Sequence, residues 1–354
     1  MIPSAAQHNL RLIIANLRDY PHSTAYTHEE LDDLSSPSWE RQERALRARA
    51  RELATFLHRL IESDASIKSL SLLAWSAGNC QTIALLAYAS ELPKDTRVLL
   101  GNHLRSYVLY GMSVACNRHH MKLSIPYLVP IEPSPTSTGG PIPPGLSAIK
   151  ATRMPEMSLG DLILAFSLSV SAFYPPFTFP ETIDPLPDYS PRPALSADSE
   201  SSDPRYTPTS SRMALGELQD AVSASVLDTH GSQYLYRVLD PEIYRTHVKK
   251  AFFDRRCASG EELEEVWPSL RTHVIWCDMS VGDCIWASVL LHFRHAAASK
   301  EWRRPMELHQ LTGADHFVST TVANRFRSRV ADGIRLKVHW EEPERFVQLL
   351  IDII

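Results

Sequence analysis

The residues that decide the fold are LSLLAWSAGNC at positions 70–80, followed by QTIALLAYA at 81–89. An apolar run of strand length meets Ser76 between small residues, and an apolar pattern of helical period begins directly after it. This is the layout of a nucleophile elbow, a sharp strand-to-helix turn that holds a serine Oγ exposed above a sheet. The turn requires small residues two positions before and after the serine, and these are Ala74 and Gly78. A buried strand that runs into a helix past an incidental serine is the alternative interpretation.

Composition sets broad limits on the class of protein. The chain has 354 residues, of which 44% are hydrophobic and 22% charged, with a formal net charge of −5. This is ordinary globular composition, sufficient for one large domain or for a core domain with an insertion. The charge balance gives no reason to expect nucleic acid or an acidic membrane as a partner.

Cysteine usage and hydropathy indicate a cytoplasmic protein. The five cysteines are odd in number and contain no CxxC pair, so the sequence indicates neither a disulfide framework nor a zinc site. No apolar run reaches the length of a membrane span, and no basic-then-apolar signal region opens the chain. We therefore expect a cytoplasmic location, and the oligomeric state is left open.

The first third of the chain alternates between strand and helix patterns. Asn9–Leu17 is predicted to be a buried strand, Trp39–Ile61 an amphipathic helix, Thr96–Leu104 a short helix and Ser106–Tyr110 a strand. With the elbow strand and its helix, the order is β-α-β-α-β. This order predicts an α/β fold whose mostly parallel sheet has helices on both faces.

The composition changes in the middle of the chain. Prolines are concentrated between residues 126 and 210, in two loops that flank one apolar segment. Helical patterns follow at 215–227, 233–239 and 241–253, without a strand pattern. We interpret residues 126–265 as a helical, Pro-rich lid inserted between two parts of the core, 1–125 and 266–354. Such a lid would shape a substrate pocket and exclude water.

The sheet pattern resumes near the C-terminus and supplies candidate partners for Ser76. Strands are predicted at Thr272–Cys277 and Met306–Leu311, and helices at about Cys284–His295 and Glu342–Ile354. Of the 15 histidines, His316 alone lies in a turn that follows a final strand and precedes the closing helix. In a parallel sheet, groups on loops at the carboxyl ends of the strands meet at one edge.

These positions predict a Ser-His-Asp triad. His316 is the candidate base for Ser76, and Asp278 is the first choice for the acid that orients the imidazole, with Asp283 the second. The backbone N–H of Ala77 is the candidate oxyanion donor. The chain order of serine, aspartate and histidine is the order expected of an α/β-hydrolase.

The motifs resemble those of the α/β-hydrolase fold superfamily, and more narrowly those of uncharacterised fungal members. The resemblance is carried by AWSAGN at 74–79, GADHFV at 313–318 and HWEEPERF at 339–346, with support from NLRDYPHST at 16–24 and IWCDMS at 275–280. It covers nearly the whole chain, loosely through the lid. It implies the α/β-hydrolase fold and says little about the substrate.

Three departures from that family pattern bear on function. The chain lacks the early strands and the His-Gly turn that supply one oxyanion donor in the family, so the chain is expected to be N-terminally truncated. The usual acid position is occupied by Ser280, and an alternative acid position, after the strand that ends at Tyr110, by Gly111. A basic segment, Ser319–Val338, separates motifs that are almost contiguous in the family. A late start codon and a translated intron would explain the first and third departures.

The sequence therefore predicts a serine hydrolase that cleaves an ester or a similar small acyl compound, a carboxylic ester hydrolase-like enzyme. We expect a small-molecule substrate, with neither a metal nor an organic cofactor. The alternative is a catalytically impaired or non-catalytic α/β-hydrolase-fold protein that lacks the first oxyanion turn. Hydrolysis of a C–C bond, which also uses a serine triad, stays open as a second enzymatic possibility.

Overall fold

A four-stranded, all-parallel sheet lies at the centre of the molecule. The computed structural model describes residues 2–20, 22–76, 78–112, 159–183, 192–195, 203–213, 239–259, 262–316 and 343–354. In chain order the strands are β1 (Leu70–Trp75), β2 (Leu104–Tyr110), β3 (Arg256–Ser259), β4 (Glu262–Glu265), β5 (Arg271–Cys277) and β6 (Met306–Leu311). The sheet has the order β1-β2-β5-β6, and β3 and β4 form a separate antiparallel pair.

Helices connect and cover the strands. They are α1 (Ile2–Gln7), α2 (His28–Ser35), α3 (Trp39–Ser63), α4 (Gly78–Ala87), α5 (Lys94–His103), α6 (Leu159–Ser171), α7 (Pro241–Val248), α8 (Gly282–Ala297) and α9 (Pro343–Ile353). The predicted α/β class and the predicted helices that correspond to α3, α5, α8 and α9 are confirmed within one or two residues at most ends.

The two faces of the sheet pack against different helices. Alternate side chains of β2 and β5, such as Tyr107 and Val274, join the main core with α3, α4 and α8. The intervening side chains, such as Tyr110 and Ile275, form a smaller cluster with Phe346 of α9. Because successive residues of a strand point to opposite faces, this division explains why both central strands are apolar almost without interruption.

The predicted strand at Asn9–Leu17 is wrong. Residues 10–17 have no regular structure, and Ile13 and Ile14 are 41% and 70% exposed. Within the described residues, β1 forms its ladder with β2 alone, so no strand edge pairs with this apolar run. The residue that follows this segment, Arg18, is fixed by a hydrogen bond to Glu30 at 2.8 Å.

The region expected to be a helical lid contains strands, which corrects the sequence analysis. β3 and β4 lie within residues 126–265. In addition, α7 and the π-helical turn Lys249–Phe253 pack into the same core as α3 and α4. Residues 113–158 and 214–238, which include one Pro-rich loop and most of two predicted helices, lie outside the described residues.

The cysteines also differ from expectation. Cys80 is disulfide-bonded, whereas Cys277 and Cys284 are buried free thiols. An odd number of cysteines means that not every cysteine can be in a disulfide within the chain, but it does not exclude one disulfide. Disulfides are typical of oxidising compartments, and the expected cytoplasmic location stays a prediction. None of the described helices combines the length and apolarity needed to cross a membrane.

Arg304 joins the irregular chain around α7 to the start of β5. Its side chain is 1% exposed and donates to the backbone oxygens of Ala251, Val266 and Trp267 at 2.7–2.9 Å. Burial lowers the pKa of the guanidinium to about 10, so Arg304 stays charged at neutral pH. One side chain thus supplies donors to three carbonyls from two segments, and the Trp267 carbonyl also accepts from the Leu270 N–H.

We predict that Arg304→Ala lowers the free energy of unfolding by about 3 kcal/mol or more, because it removes three hydrogen-bond donors from carbonyls in the interior. Urea denaturation of the full chain measures this loss. Arg51→Ala, at an exposed site on α3, is the control and is expected to change stability by less than about 0.5 kcal/mol. Equal stabilities for the two variants would contradict the role of Arg304.

Candidate active site

Ser76 occupies a strained turn between β1 and α4. Its φ is 51°, in the left-handed region that L-residues other than Asn and Asp seldom adopt. The Ser76 N–H donates to the Tyr110 carbonyl at 3.0 Å, and the Ser76 carbonyl accepts from the Asn79 N–H at 3.1 Å. The predicted sharp turn at Ser76 is therefore present, and the side chain is half-buried. Ala77 lies outside the described residues.

Asn79 is a residue of the site to which the sequence analysis gave no role. Its side chain is fully buried, and its Nδ2 donates to the carbonyls of Ser76 at 2.8 Å and Tyr110 at 3.2 Å. One amide thus connects the turn to the end of β2. The available signal was a polar residue three positions after the serine, at the start of an otherwise apolar helix.

His316 lies beside Ser76, as the sequence predicts. The His316 Nε2 is 3.0 Å from the Ser76 Oγ, a normal hydrogen-bond distance. The imidazole is 3% exposed and stacks on the indole of Trp75, with ring centroids 5.6 Å apart. Trp75 Nε1 also donates to the His316 carbonyl at 3.3 Å. The last residue of β1 therefore holds both the ring and the backbone of the histidine.

Gly111 has no side chain, and the imidazole of His316 occupies the space that a Cβ would fill. It follows β2 with a φ of +53°, and a Cβ placed there would lie 2.9 Å from the His316 Cε1 and 3.0 Å from Nδ1. Both the backbone conformation and the close approach of the ring require glycine. The sequence analysis named this position only as one that lacks an acid.

A thiol lies at the second nitrogen of the imidazole. The Cys284 Sγ is 3.5 Å from the His316 Nδ1, at the N-terminal turn of α8. Burial raises the pKa of this thiol, so Cys284 is uncharged at neutral pH. In the sequence Cys284 is recognisable only as the start of a helix, because no spacing rule connects it with His316.

Asp278 contacts the histidine loop rather than the imidazole. Its Oδ1 accepts from the Gly313 N–H at 2.7 Å, and its Oδ2 lies 3.4 Å from the Gln310 Nε2. Burial raises the pKa of the carboxyl, against the opposing effect of these N–H groups. Asp278 thus supports the turn that presents His316, because Gly313 lies three residues before the histidine.

Asp283, the second predicted acid, lies directly before Cys284. It is 4% exposed in the first turn of α8. Besides burial, its charge contributes to raising the pKa of Tyr174 to about 12. Asp283 thus lies one residue before the thiol that contacts His316, in the helix that follows β5.

Segments of the predicted lid region bond to the loops that carry the site. Tyr174 and Phe177 donate their N–H groups to the carbonyls of Met279 and Asp278 at 2.9 and 3.0 Å. Thr209 Oγ1 donates to the Asp315 Oδ2 at 3.1 Å, next to His316. These bonds place residues 173–177 and 209 against the carboxyl edge of the sheet, where the sequence analysis expected a cover for the site.

One group of side chains in the described residues has the composition of a metal site. It consists of His273, Glu307 and His309. The sequence analysis expected no metal and gave these residues no role. They lie on β5 and β6, whereas Ser76 and His316 lie beyond the carboxyl ends of the strands.

Comparison with protein-family models and with curated proteins finds no match for this chain. The interpretation of the site therefore depends on its geometry. A serine hydroxyl on a strained turn, 3.0 Å from an imidazole nitrogen, is able to lose its proton to that nitrogen as it attacks an electrophilic carbon.

We predict that Gly111→Ala slows phosphonylation of Ser76 by a fluorophosphonate probe about 10–100-fold, because the added methyl displaces the imidazole. The rate of probe labelling measures the effect. Gly313→Ala is the matched control: Gly313 also has a positive φ, of +73°, but a Cβ there meets nothing within 4 Å. The two variants thus share the backbone penalty, and equal slowing would show that strain, not contact with His316, is responsible.

Proposed function

We propose that the protein is a serine hydrolase of the α/β-hydrolase type, which cleaves an ester or a similar small acyl compound. The observation that carries the proposal is the Ser76–His316 pair. The serine has a positive φ at a strand-to-helix turn, and its Oγ is 3.0 Å from the His316 Nε2. An incidental serine needs neither the strained backbone nor the buried imidazole beside it.

The proposed reaction proceeds through an acyl-enzyme. The Ser76 Oγ attacks the acyl carbon while the His316 Nε2 takes its proton, and the imidazolium then protonates the departing alcohol. Water, deprotonated by the same nitrogen, attacks the acyl carbon; the bond to the Ser76 Oγ breaks, the imidazolium returns the proton to Oγ, and the acid is released. No metal or organic cofactor takes part in these steps.

The oxyanion that forms at each step needs hydrogen-bond donors. The proposed donor is the Ala77 N–H, because the residue after the nucleophile supplies this group in an elbow. The N-terminus of α4, which begins at Gly78, adds the positive end of the helix dipole.

The support around His316 favours a fixed imidazole. Trp75 and Gly111 confine the ring, and Asp278 holds Gly313 at the base of its loop. We propose Asp278 as a positioning residue that acts through this loop, with Asp283 as the carboxylate on the Nδ1 side. The substrate itself is expected to enter between the carboxyl edge of the sheet and the segment that contains Tyr174.

A fluorophosphonate probe tests the proposal, because it reacts with an activated serine and requires no knowledge of the substrate. We expect the full chain to be labelled at Ser76, and Ser76→Ala to abolish the label. His316→Gln should slow labelling by about 10⁴–10⁶-fold. Ser71→Ala, on the same strand, is the control and should label normally.

The outcome that would overturn the proposal is a chain that is folded by circular dichroism but unlabelled at Ser76. That result would favour a non-catalytic α/β protein. Where labelling is found, p-nitrophenyl esters of rising chain length identify the acyl group that the enzyme prefers.

The two predicted acids are separated by a matched pair of variants. Because Asn retains an oxygen that can accept from the Gly313 N–H, we expect Asp278→Asn to lower kcat by less than about tenfold. A carboxylate that orients the base is worth about 10⁴ in kcat, so we expect Asp283→Asn to cost far more. A loss near 10⁴ for Asp278→Asn, with little change for Asp283→Asn, would reverse the assignment.

A further inference from the structure

Three potential metal ligands meet on one face of the sheet, away from the proposed catalytic pair. His273 is paired in register with Glu307, and Ile275 is paired with His309. Because alternate residues of a strand share a face, the side chains of His273, Glu307 and His309 project from the same side. That side is the one on which α9 packs.

The distances between the ligand atoms suit one ion. The His273 Nδ1 is 3.0 Å from the His309 Nε2 and 3.9 Å from a Glu307 carboxylate oxygen, and all three ligand atoms lie within 4.8 Å of one another. In a tetrahedral site with bonds of about 2.0–2.2 Å, two ligand atoms are separated by about 3.3–3.6 Å. The two separations from the His273 Nδ1, 3.0 Å to His309 and 3.9 Å to Glu307, lie on either side of that range, about 0.3 Å from it.

The three side chains differ in how far they are exposed to solvent. The His273 side chain is 3% exposed, that of Glu307 is 64% exposed, and His309 is half-buried. One ligand is therefore fixed by the packed sheet, while the other two leave an entry path for an ion. The open side also leaves room for water as a fourth ligand, as in three-residue zinc sites.

We propose that His273, His309 and Glu307 bind a divalent transition-metal ion, with Zn²⁺ as the physiological candidate. Two imidazoles and one carboxylate select Zn²⁺ and its neighbours in the first transition series, whereas Mg²⁺ and Ca²⁺ prefer oxygen ligands alone. The ion joins β6, the last strand of the sheet, to β5. It thereby stabilises the strand from which the His316 loop departs, without taking part in the reaction at Ser76.

The metal-free state of this group is a hydrogen bond between two neutral imidazoles. At 3.0 Å one ring nitrogen donates to the other, so a hydrogen bond alone explains the distance between the two rings. Glu307 takes no part in this hydrogen bond, since its carboxylate oxygen is 3.9 Å from the His273 Nδ1. Dependence of ion affinity on Glu307 therefore separates a metal site from an isolated histidine pair.

Titration of the chelator-treated full chain with Co²⁺ tests the site, because a tetrahedral N/O environment gives Co²⁺ visible absorption bands. We expect saturation at one equivalent, with displacement by Zn²⁺. Glu307→Gln should weaken the affinity at least tenfold, and His309→Gln should abolish the bands. Addition of Zn²⁺ should raise the melting temperature of the wild type but not that of His309→Gln.

His58→Gln is the matched control, because His58 and Glu62 form another histidine–carboxylate pair, 3.2 Å apart on α3, to which the described part of the chain adds no third ligand. We expect this variant to bind Co²⁺ like the wild type. The proposal is overturned if the wild type shows no saturable bands, or if Glu307→Gln and His309→Gln both bind as tightly as His58→Gln. The Glu307 side chain is 64% exposed, so Glu307→Gln is expected to fold normally and tests the site even if His309→Gln folds poorly. Neither readout depends on hydrolase activity.

Discussion

The left-handed backbone at Ser76 is the constraint on which the site depends. A non-glycine residue in this region costs about 1–3 kcal/mol and persists only where its surroundings determine it. Here the N–H of Ser76 is bound by the Tyr110 carbonyl, and its carbonyl is bound by both the backbone and the side chain of Asn79. The parallel ladder that pairs Trp75 with Tyr110 ends directly before the turn. The position of the hydroxyl therefore follows from the sheet.

The imidazole is held by contacts of a different kind. It arrives 240 residues after Ser76, on a loop fixed at Gly313 by Asp278. Its ring lies between Trp75 and the backbone of Gly111. A ring confined in this way loses little further freedom when it accepts a proton, which is the advantage of a preorganised base.

Guanidinium groups that are wholly or partly buried connect irregular segments to the regular core. Arg192 donates to the carbonyls of Pro175 and Asp278. Arg304 donates to the Ala251 carbonyl, after α7, and to two carbonyls shortly before β5. Chain without regular structure leaves carbonyls that must find donors when buried, and the several N–H groups of one arginine satisfy more than one of them. Arg192 thus joins the segment near Tyr174 to the loop that carries Asp278.

The sequence by itself determined the local features of this protein. Apolar periodicity located the four strands of the sheet, and small residues around Ser76 predicted the turn, because both depend on neighbours within a few positions. The position of His316 after the last strand predicted that it meets Ser76, since parallel strands bring such loops to one edge. Tertiary structure alone decided the partners of Asp278, the contact of Cys284 with His316, the disulfide at Cys80 and the meeting of His273 with His309. It also decided that residues 10–17 do not form a strand, because an apolar run becomes a strand only where a free edge pairs with it.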